Sequence, residues 1–204
     1  MGMAEASKQD IDEAIGVVKR GGVIVFPTET AYGLGADATN AQAVARLMAI
    51  KGREAWKTPP LIAATQEMAE QFVKMSDRLQ AYTHQCWPGP LTIVALVKKE
   101  TTICLDVIRE GTIAIRVSSH PIARLLSEAL GVPLVATSAN VAGQPTCFAV
   151  EDIRAQFDSR LLQPDFYLNV GSLQDRGLST IISEQNDQII LIRKGMIEIP
   201  RYVT

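Results

Sequence analysis

Short apolar runs alternate with amphipathic stretches along most of this chain. Ile11, Ala14, Ile15 and Val18 recur at helical spacing, with Ser7 placed to cap that helix and Gly21-Gly22 to stop it. Residues 23–26 form an unbroken apolar run, predicted as a buried strand, and residues 27–35 a long polar, glycine-bearing connection. Asn40 precedes a second helix whose apolar face carries Val44, Leu47 and Met48. That helix ends near Lys51, because Gly52 follows. A strand over residues 61–64 and helices after Thr65 and Ser76 come next. Trp87-Pro-Gly-Pro90 must turn rigidly, since two prolines fix the backbone and remove donors. β-branched residues mark strands over Leu91–Val97 and Thr112–Val117. Pro121 suits the first turn of a helix that Gly131 stops. A strand over residues 132–135, a helix over Val150–Phe157 and a strand over residues 166–170 follow. Residues 179–182 and 188–192 flank Gln185-Asn-Asp, which reads as a late hairpin.

Strands alternating with helices give an α/β class, and the hairpin adds antiparallel pairing, so the sheet is mixed. Neither repeats nor linkers interrupt the pattern, so one domain over residues 1–204 is expected, with residues 1–8 a flexible amino terminus. The composition, 47% apolar and 21% charged, is ordinary for a globular enzyme. A net charge of −2 gives no basic field to hold nucleic acid, so weak or no direct tRNA binding is expected. No apolar run approaches the roughly 20 residues that span a bilayer, and the amino terminus lacks the pattern of a secretory signal. The three scattered cysteines suggest neither a zinc site nor a disulfide framework, which fits a reducing cytoplasm.

The stretch from Leu134 to Pro145 begins as a strand and breaks into Thr137, Ser138 and Asn140. Small polar residues at a strand's carboxyl end are what a ligand crevice needs, although a capped turn would look alike. Thr28, Thr30 and Tyr32 could bind a small polar substrate, or could decorate a solvated loop. Gly33-Leu-Gly-Ala-Asp-Ala38 mimics a dinucleotide fingerprint, but residues 27–32 intervene where a true one turns straight from the strand. Lys51, Arg53 and Lys57 put three cations past a helix end, either answering the macrodipole or clamping phosphate. Arg116 lies in an alternating strand and is costly there without an anionic partner, a structural carboxylate or a substrate's. Arg193 poses the same question. His84 reads as a surface or core residue and His120 as a helix cap. No Ser/His/Asp or Cys/His set and no motif of paired carboxylates can be assembled. The site is therefore suited to electrostatic positioning, not covalent catalysis.

Taken in order, these motifs resemble the YrdC-like family of threonylcarbamoyl-AMP synthases. The matching residues are 26–35 (Phe-Pro-Thr-Glu-Thr-Ala-Tyr-Gly-Leu-Gly), Lys51-Gly-Arg53, Trp87-Pro-Gly-Pro-Leu-Thr92, the Arg116 strand with His120-Pro121, and Thr137-Ser-Ala-Asn140. The Lys-x-Arg and Ser-x-Asn pairs are that family's functional signature. Glu54 and Ser118 stand where the family often has proline, Ala142 where serine is usual, and Lys57-Thr-Pro-Pro-Leu61 replaces a shorter Lys-Pro-Leu.

The resemblance implies a twisted open mixed sheet flanked by helices around a deep cleft. It implies that L-threonine, bicarbonate and ATP give threonylcarbamoyl-AMP and pyrophosphate, with a separate transferase complex passing the group to the adenosine beside a tRNA anticodon. Lys51, Arg53, Ser138 and Asn140 would be catalytic. ATP would be held by these four with Lys57, Thr112, Thr146 and Arg193. Threonine would be held by Thr30, Tyr32, Arg116, Ala136 and Ser179. Mg²⁺ would be bound through phosphate oxygens and water rather than by protein ligands. Three other readings stay open: a module that binds tRNA or double-stranded RNA without catalysis, a related paralogue with lost or changed activity, and a nucleotide-dependent enzyme that transfers carbamoyl groups to another amine. The hydroxyl-rich residues 28–32 further suggest threonine favoured modestly over serine and more strongly over valine.

Overall fold

A computed structural model of the chain describes residues 6–52 and 58–199. The elements are, in order, α1 (Lys8–Lys19), β1 (Ile24–Pro27), β2 (Tyr32–Asp37), α2 (Ala41–Lys51), β3 (Leu61–Ala63), α3 (Gln66–Phe72), β4 (Val73–Lys74), α4 (Asp77–Cys86), β5 (Leu91–Val97), β6 (Thr112–Val117), α5 (Pro121–Leu130), β7 (Leu134–Ser138), α6 (Val150–Phe157), β8 (Phe166–Tyr167), β9 (Thr180–Gln185) and β10 (Gln188–Arg193). Helix ends are set by groups that satisfy the orphan backbone donors and acceptors. Ser7, Asn40, Thr65 and Ser76 each accept a hydrogen bond from the backbone N–H three residues on. Gly52 and Gly131 close α2 and α5 at φ of 65° and 73°, a region open to glycine without steric cost. Ala6, just before α1, packs against the core. Among the described residues no helix is long and apolar enough to cross a membrane.

The strands form one mixed sheet in the order β10-β9-β5-β6-β3-β7-β2-β1-β8, with β4 pairing β5. β3 and β6, β5 and β9, and β1 and β8 run parallel; the other pairs are antiparallel. On one face, α1 and α5 bury Ala14, Val18, Ala123 and Leu126 against Ile24, Phe26, Ile62 and Leu134. On the other, Val44, Leu47 and Ile50 of α2 and Phe157 of α6 join a larger core with Leu34, Leu61, Ile93 and Ile115. Each of the valine, leucine, isoleucine and phenylalanine side chains among these contributes about 1.5–3 kcal/mol by leaving water. Ile62 pairs in register with Arg116, so the α1/α5 face continues from β3 onto β6. There its residues change from apolar to polar, and a cavity begins.

Residues 27–35 differ from the expected connection. Only Thr28 to Ala31 turn; Tyr32 onward is a buried strand that pairs with β1 and β7. The reason lies across the ladder. Phe26 pairs with Gly33, and its ring packs over that strand. A Cβ on Gly33 or Gly35 would stand 3.1 or 2.7 Å from Phe26 Cε1. The glycines make room for an aromatic ring, and α2 opens only at Ala41, so the pattern that mimics a dinucleotide fingerprint is sheet packing. β7 begins at Leu134, two residues later than expected, and runs three residues further, through Ala136 and the polar Thr137 and Ser138. β8 stops at Tyr167, short of the expected residue 170. The late hairpin is present, with Asn186 and Asp187 at φ of 49° and 59°, the primed turn that matches strand twist.

Candidate functional site

A cavity of about 220 Å³ lies on the sheet face beyond α5. Its walls come from the β1–β2 turn (Thr28, Thr30), the polar end of β7 (Thr137, Ser138), and Arg116 and Arg193 on β6 and β10. Sites that bury a drug-sized ligand run to roughly 300–1,000 Å³, so this volume suits an amino acid; a nucleotide would extend over the rim.

The β1–β2 turn is held by its own hydroxyls. Thr28 Oγ1 donates to Ala31 O at 2.6 Å and lies 3.0 Å from Thr30 Oγ1. Tyr32 is buried, and its hydroxyl bridges away from the turn: it donates to Gly171 O at 2.7 Å and accepts from Val170 N at 3.0 Å. Burial is the main cause that raises its pKa. Tyr32 therefore anchors the segment that leads to Leu178 and Ser179 on the opposite wall.

Two guanidinium groups line this one cavity. Arg116 is 7% exposed. Its Nε lies 3.4 Å from Glu29 Oε1, close enough for attraction, yet neither atom has a hydrogen-bond partner. Glu29 Oε2 in turn accepts a hydrogen bond from Ser118, whose Oγ also accepts from His120 N at 3.1 Å. Arg193 donates to Ser179 O and Oγ, both at 2.8 Å from one terminal nitrogen, and Ser179 Oγ lies 3.0 Å from Thr92 Oγ1. Burial first, and then the like charge of Arg116, lower the Arg193 pKa. Two cations that disfavour each other in a half-buried cavity are the arrangement that an anion between them would relieve. His120 occupies the cap position of α5 but makes no side-chain cap bond, and both ring nitrogens are buried without partners. Burial lowers its pKa, against the opposing pull of Glu29, so the neutral imidazole is favoured.

Behind Ser138 sits a second cluster. Lys51 is the last residue of α2, where the macrodipole favours a cation, but it does not project into solvent. It is 4% exposed, and its Nζ donates to Ser138 O at 2.6 Å, Ser138 Oγ at 3.1 Å and Asn140 Oδ1 at 2.6 Å. Asn140 spends its amide donors on Val141 O at 3.0 Å and Gln144 O at 2.7 Å. Ala142 N returns to Lys51 O at 2.8 Å. The helix end and the loop after β7 are thus tied through one buried ammonium.

Of the residues singled out from sequence, Thr30, Tyr32, Arg116, Ala136, Ser138, Ser179 and Arg193 line the cavity. Lys51 and Asn140 stand against its Ser138 wall. Thr112 and Thr146 do not line it; the Thr112 hydroxyl donates to Arg109 O at 2.8 Å instead. Arg53 and Lys57 lie outside the described residues. Sequence reasoning gave no role to Glu29 or Thr92, whereas Thr137, read with Ser138 as part of a ligand crevice, does line the cavity. The cost of an arginine in an apolar strand demanded a carboxylate near Arg116, but nothing in the spacing identified Glu29 as that group.

Residues 16–195 match the model of the Sua5/YciO/YrdC family, which is described as "Telomere recombination". The chain belongs to this family. It is 39% identical over 150 residues to a threonylcarbamoyl-AMP synthase of Klebsiella pneumoniae subsp. pneumoniae, covering 72% of this chain and 78% of that protein. It is 38% identical over 154 residues to one of Coxiella burnetii, covering 75% and 82%. Among solved structures it is similar to E. coli YciO, with 25% identity, a TM-score of 0.86 and coverage of 98% of this chain and 96% of that one. It is also similar to P. abyssi Sua5 complexed with L-threonine, at 29% identity and a TM-score of 0.85. That match takes in 93% of this chain but 55% of the P. abyssi chain, so the chain spans just over half of that longer protein. The matched residues 16–195 contain the strands of the mixed sheet and the residues that line the cavity.

Proposed function

We propose that this chain is a threonylcarbamoyl-AMP synthase, condensing L-threonine, bicarbonate and ATP into threonylcarbamoyl-AMP and pyrophosphate. The observation that carries the reading is an amino-acid-sized cavity lined by Arg116 and Arg193, with the Lys51–Ser138–Asn140 cluster against its wall. The names of the curated relatives support it, as does the threonine complex of the P. abyssi protein.

In this reading threonine's amine and bicarbonate combine to the carbamate with loss of water. A carbamate oxygen then attacks the α-phosphorus, the bond from that phosphorus to the bridging oxygen breaks, and pyrophosphate leaves with the electron pair. Such a displacement needs alignment and neutralised charge more than a protein nucleophile. Arg116 holds the threonine carboxylate in a bidentate grip. Thr30 and Ser179 flank the rest of the amino acid, while Tyr32 and Ala136 shape its walls. Ser138 faces the nucleotide, and Lys51 keeps a positive charge at its back. Asn140 fixes the ammonium and the loop. Arg193 answers the growing phosphate charge from the other side, with Arg53 and Lys57 as further phosphate contacts and Thr112 and Thr146 at the outer rim.

Among the described residues no group of three or more His, Cys, Asp or Glu is placed to hold a metal. Mg²⁺ arriving with ATP would be held by phosphate oxygens and water, and no step above is routed through it. The product feeds a separate transferase that modifies the adenosine beside a tRNA anticodon. We place the reaction in the cytoplasm, where free thiols such as Cys86, Cys104 and Cys147 stay reduced. With a net charge of −2, this chain has little to offer tRNA itself.

The test is pyrophosphate release from ATP with threonine, bicarbonate and tRNA omitted in turn. Release that needs threonine and bicarbonate but not tRNA is the expected result. Release without threonine, or only with tRNA, overturns the proposal.

A further inference from the structure

We propose that Glu29 and Ser118 are positioning residues for Arg116: the Ser118 hydroxyl holds the Glu29 carboxylate, which holds the guanidinium so that its remaining edge receives the substrate carboxylate. This inference rests on the threonine-binding reading above and adds residues to it that do not themselves line the cavity.

Arg116 sits on β6 between the core residues Ile115 and Val117, and its side chain is 9% exposed; that of Glu29 is 8% exposed. A guanidinium so placed is costly without an anion. Glu29 supplies one at 3.4 Å on the Nε edge. A guanidinium has five donors in a rigid fork. With Nε turned to Glu29, the edge formed by the two terminal nitrogens is left for a ligand in the cavity that Arg116 lines. Glu29 itself follows Thr28 in a tight turn, and its second oxygen is taken by Ser118. Ser118 is wholly buried and fixed from its other side by His120 N. The chain Ser118–Glu29–Arg116 therefore links the end of β6 and the β1–β2 turn to one guanidinium. Arginine loses much rotamer freedom when it is held, and a site that holds it in advance removes that cost from binding.

Simple Coulomb attraction gives the opposite expectation. A carboxylate beside Arg116 cancels part of its charge, so removing Glu29 would strengthen anion binding in a cavity that also contains Arg193. The two accounts differ in sign, and positioning prevails because the unpaired guanidinium would turn to the nearest other acceptor.

The experiment uses the full chain with Glu29→Gln, Ser118→Ala and Ser118→Thr, and measures kcat and KM by pyrophosphate release while threonine and ATP are varied separately. Glu29→Gln should raise the KM for threonine at least tenfold and Ser118→Ala three- to tenfold, with the KM for ATP within twofold. Ser118→Thr keeps the hydroxyl and should stay within twofold throughout. A merely structural role would lower the melting temperature and kcat but leave the KM for threonine where it was. If Glu29→Gln does not fold, Ser118→Ala, which loses a single hydroxyl, decides the matter. A KM for threonine unchanged or lowered in a folded variant, with the unaltered protein active, overturns the inference and leaves the synthase reading standing. An unaltered protein that does not use threonine overturns both.

Discussion

Replacing Asn140 by alanine tests whether the cluster behind the cavity is a structural tie as well as a functional one. Asn140 is 7% exposed, and its side chain makes three hydrogen bonds, one with a cation and two with backbone carbonyls. It accepts from the Lys51 ammonium at 2.6 Å and donates to Val141 O and Gln144 O at 3.0 and 2.7 Å. A hydrogen bond to a charged group is worth about 1.5–3 kcal/mol and a neutral one about 0.5–1.5 kcal/mol. The three sum to roughly 2.5–6 kcal/mol on those values. Gln144 is exposed and Val141 half-buried, so water can recover part of what the two carbonyls lose. That moves the expectation to the lower half, about 2.5–4 kcal/mol. For a chain of this size each kcal/mol lowers the melting temperature by about 2–4 °C, so a fall of about 5–15 °C is expected. Thermal denaturation followed by circular dichroism measures it. Pyrophosphate release, assayed well below the new melting point, should fall too, because the ammonium behind Ser138 loses its bond to the Asn140 side chain and keeps only those to Ser138 among the bonds described above. A folded Asn140→Ala variant that melts within 2 °C of the unaltered protein would refute the tie and leave Asn140 as a ligand contact only.

Three further outcomes are expected. Gly35→Ala puts a methyl 2.7 Å from Phe26 Cε1, and overpacking of this kind costs about 1–3 kcal/mol, read as a lower urea midpoint. Tyr32→Phe removes the hydroxyl that joins Val170 N and Gly171 O; about 1–3 kcal/mol of stability should go, and amide exchange near residue 170 should quicken if the hydroxyl anchors that segment. His120 holds its proton less tightly in the fold than at the ordinary value of 6.5. Below 6.5 the unfolded chain therefore binds more protons, so this contribution to stability is complete above that pH and is lost as the pH falls through the folded value. Urea midpoints at pH 7.5 and 5.5 should differ less in His120→Gln than in the unaltered protein, and equal differences would remove His120 from the acid response.

The helices were legible because their signals are local. Asn40 and Ser76 cap from three residues away, and Gly52 and Gly131 end their helices by a backbone conformation other residues avoid. β2 was not legible, because two glycines in six residues lower strand propensity, and only the Phe26 ring across the ladder explains them. The site divides in the same way. An arginine in an alternating apolar strand announces that it needs an anion, whatever the fold. That the anion is Glu29, that Lys51 turns inward to Ser138 and Asn140, and that the Tyr32 hydroxyl serves a distant loop are all long-range facts. Lys51 and Asn140 are 89 positions apart, and Tyr32 and Gly171 are 139. No periodicity carries information over such separations; only the assembled sheet does.

The pairing of the cavity hydroxyls changes what should be expected of amino-acid selectivity. Residues 28–32 suggested hydroxyls waiting for the hydroxyl of threonine, so that valine would orphan them at about 1–3 kcal/mol per group, or one to two decades. The groups are not waiting. Thr28 lies against Thr30 and donates to Ala31 O; Ser179 accepts from Arg193 and lies against Thr92. A substrate hydroxyl would join networks that already satisfy their members. Its absence then costs about the net value of one hydrogen bond, roughly 0.5–1.5 kcal/mol, or about two- to tenfold in kcat/KM. Serine lacks only the methyl, worth about 0.8 kcal/mol when buried, or about fourfold. Threonine should thus be preferred over both by similar modest factors, with valine no more than about tenfold worse. Steady-state pyrophosphate release with the three amino acids at matched concentrations decides it. Discrimination of a hundredfold against valine would mean that a buried group in the occupied site depends on the substrate hydroxyl, and that the pairing seen here opens when threonine binds.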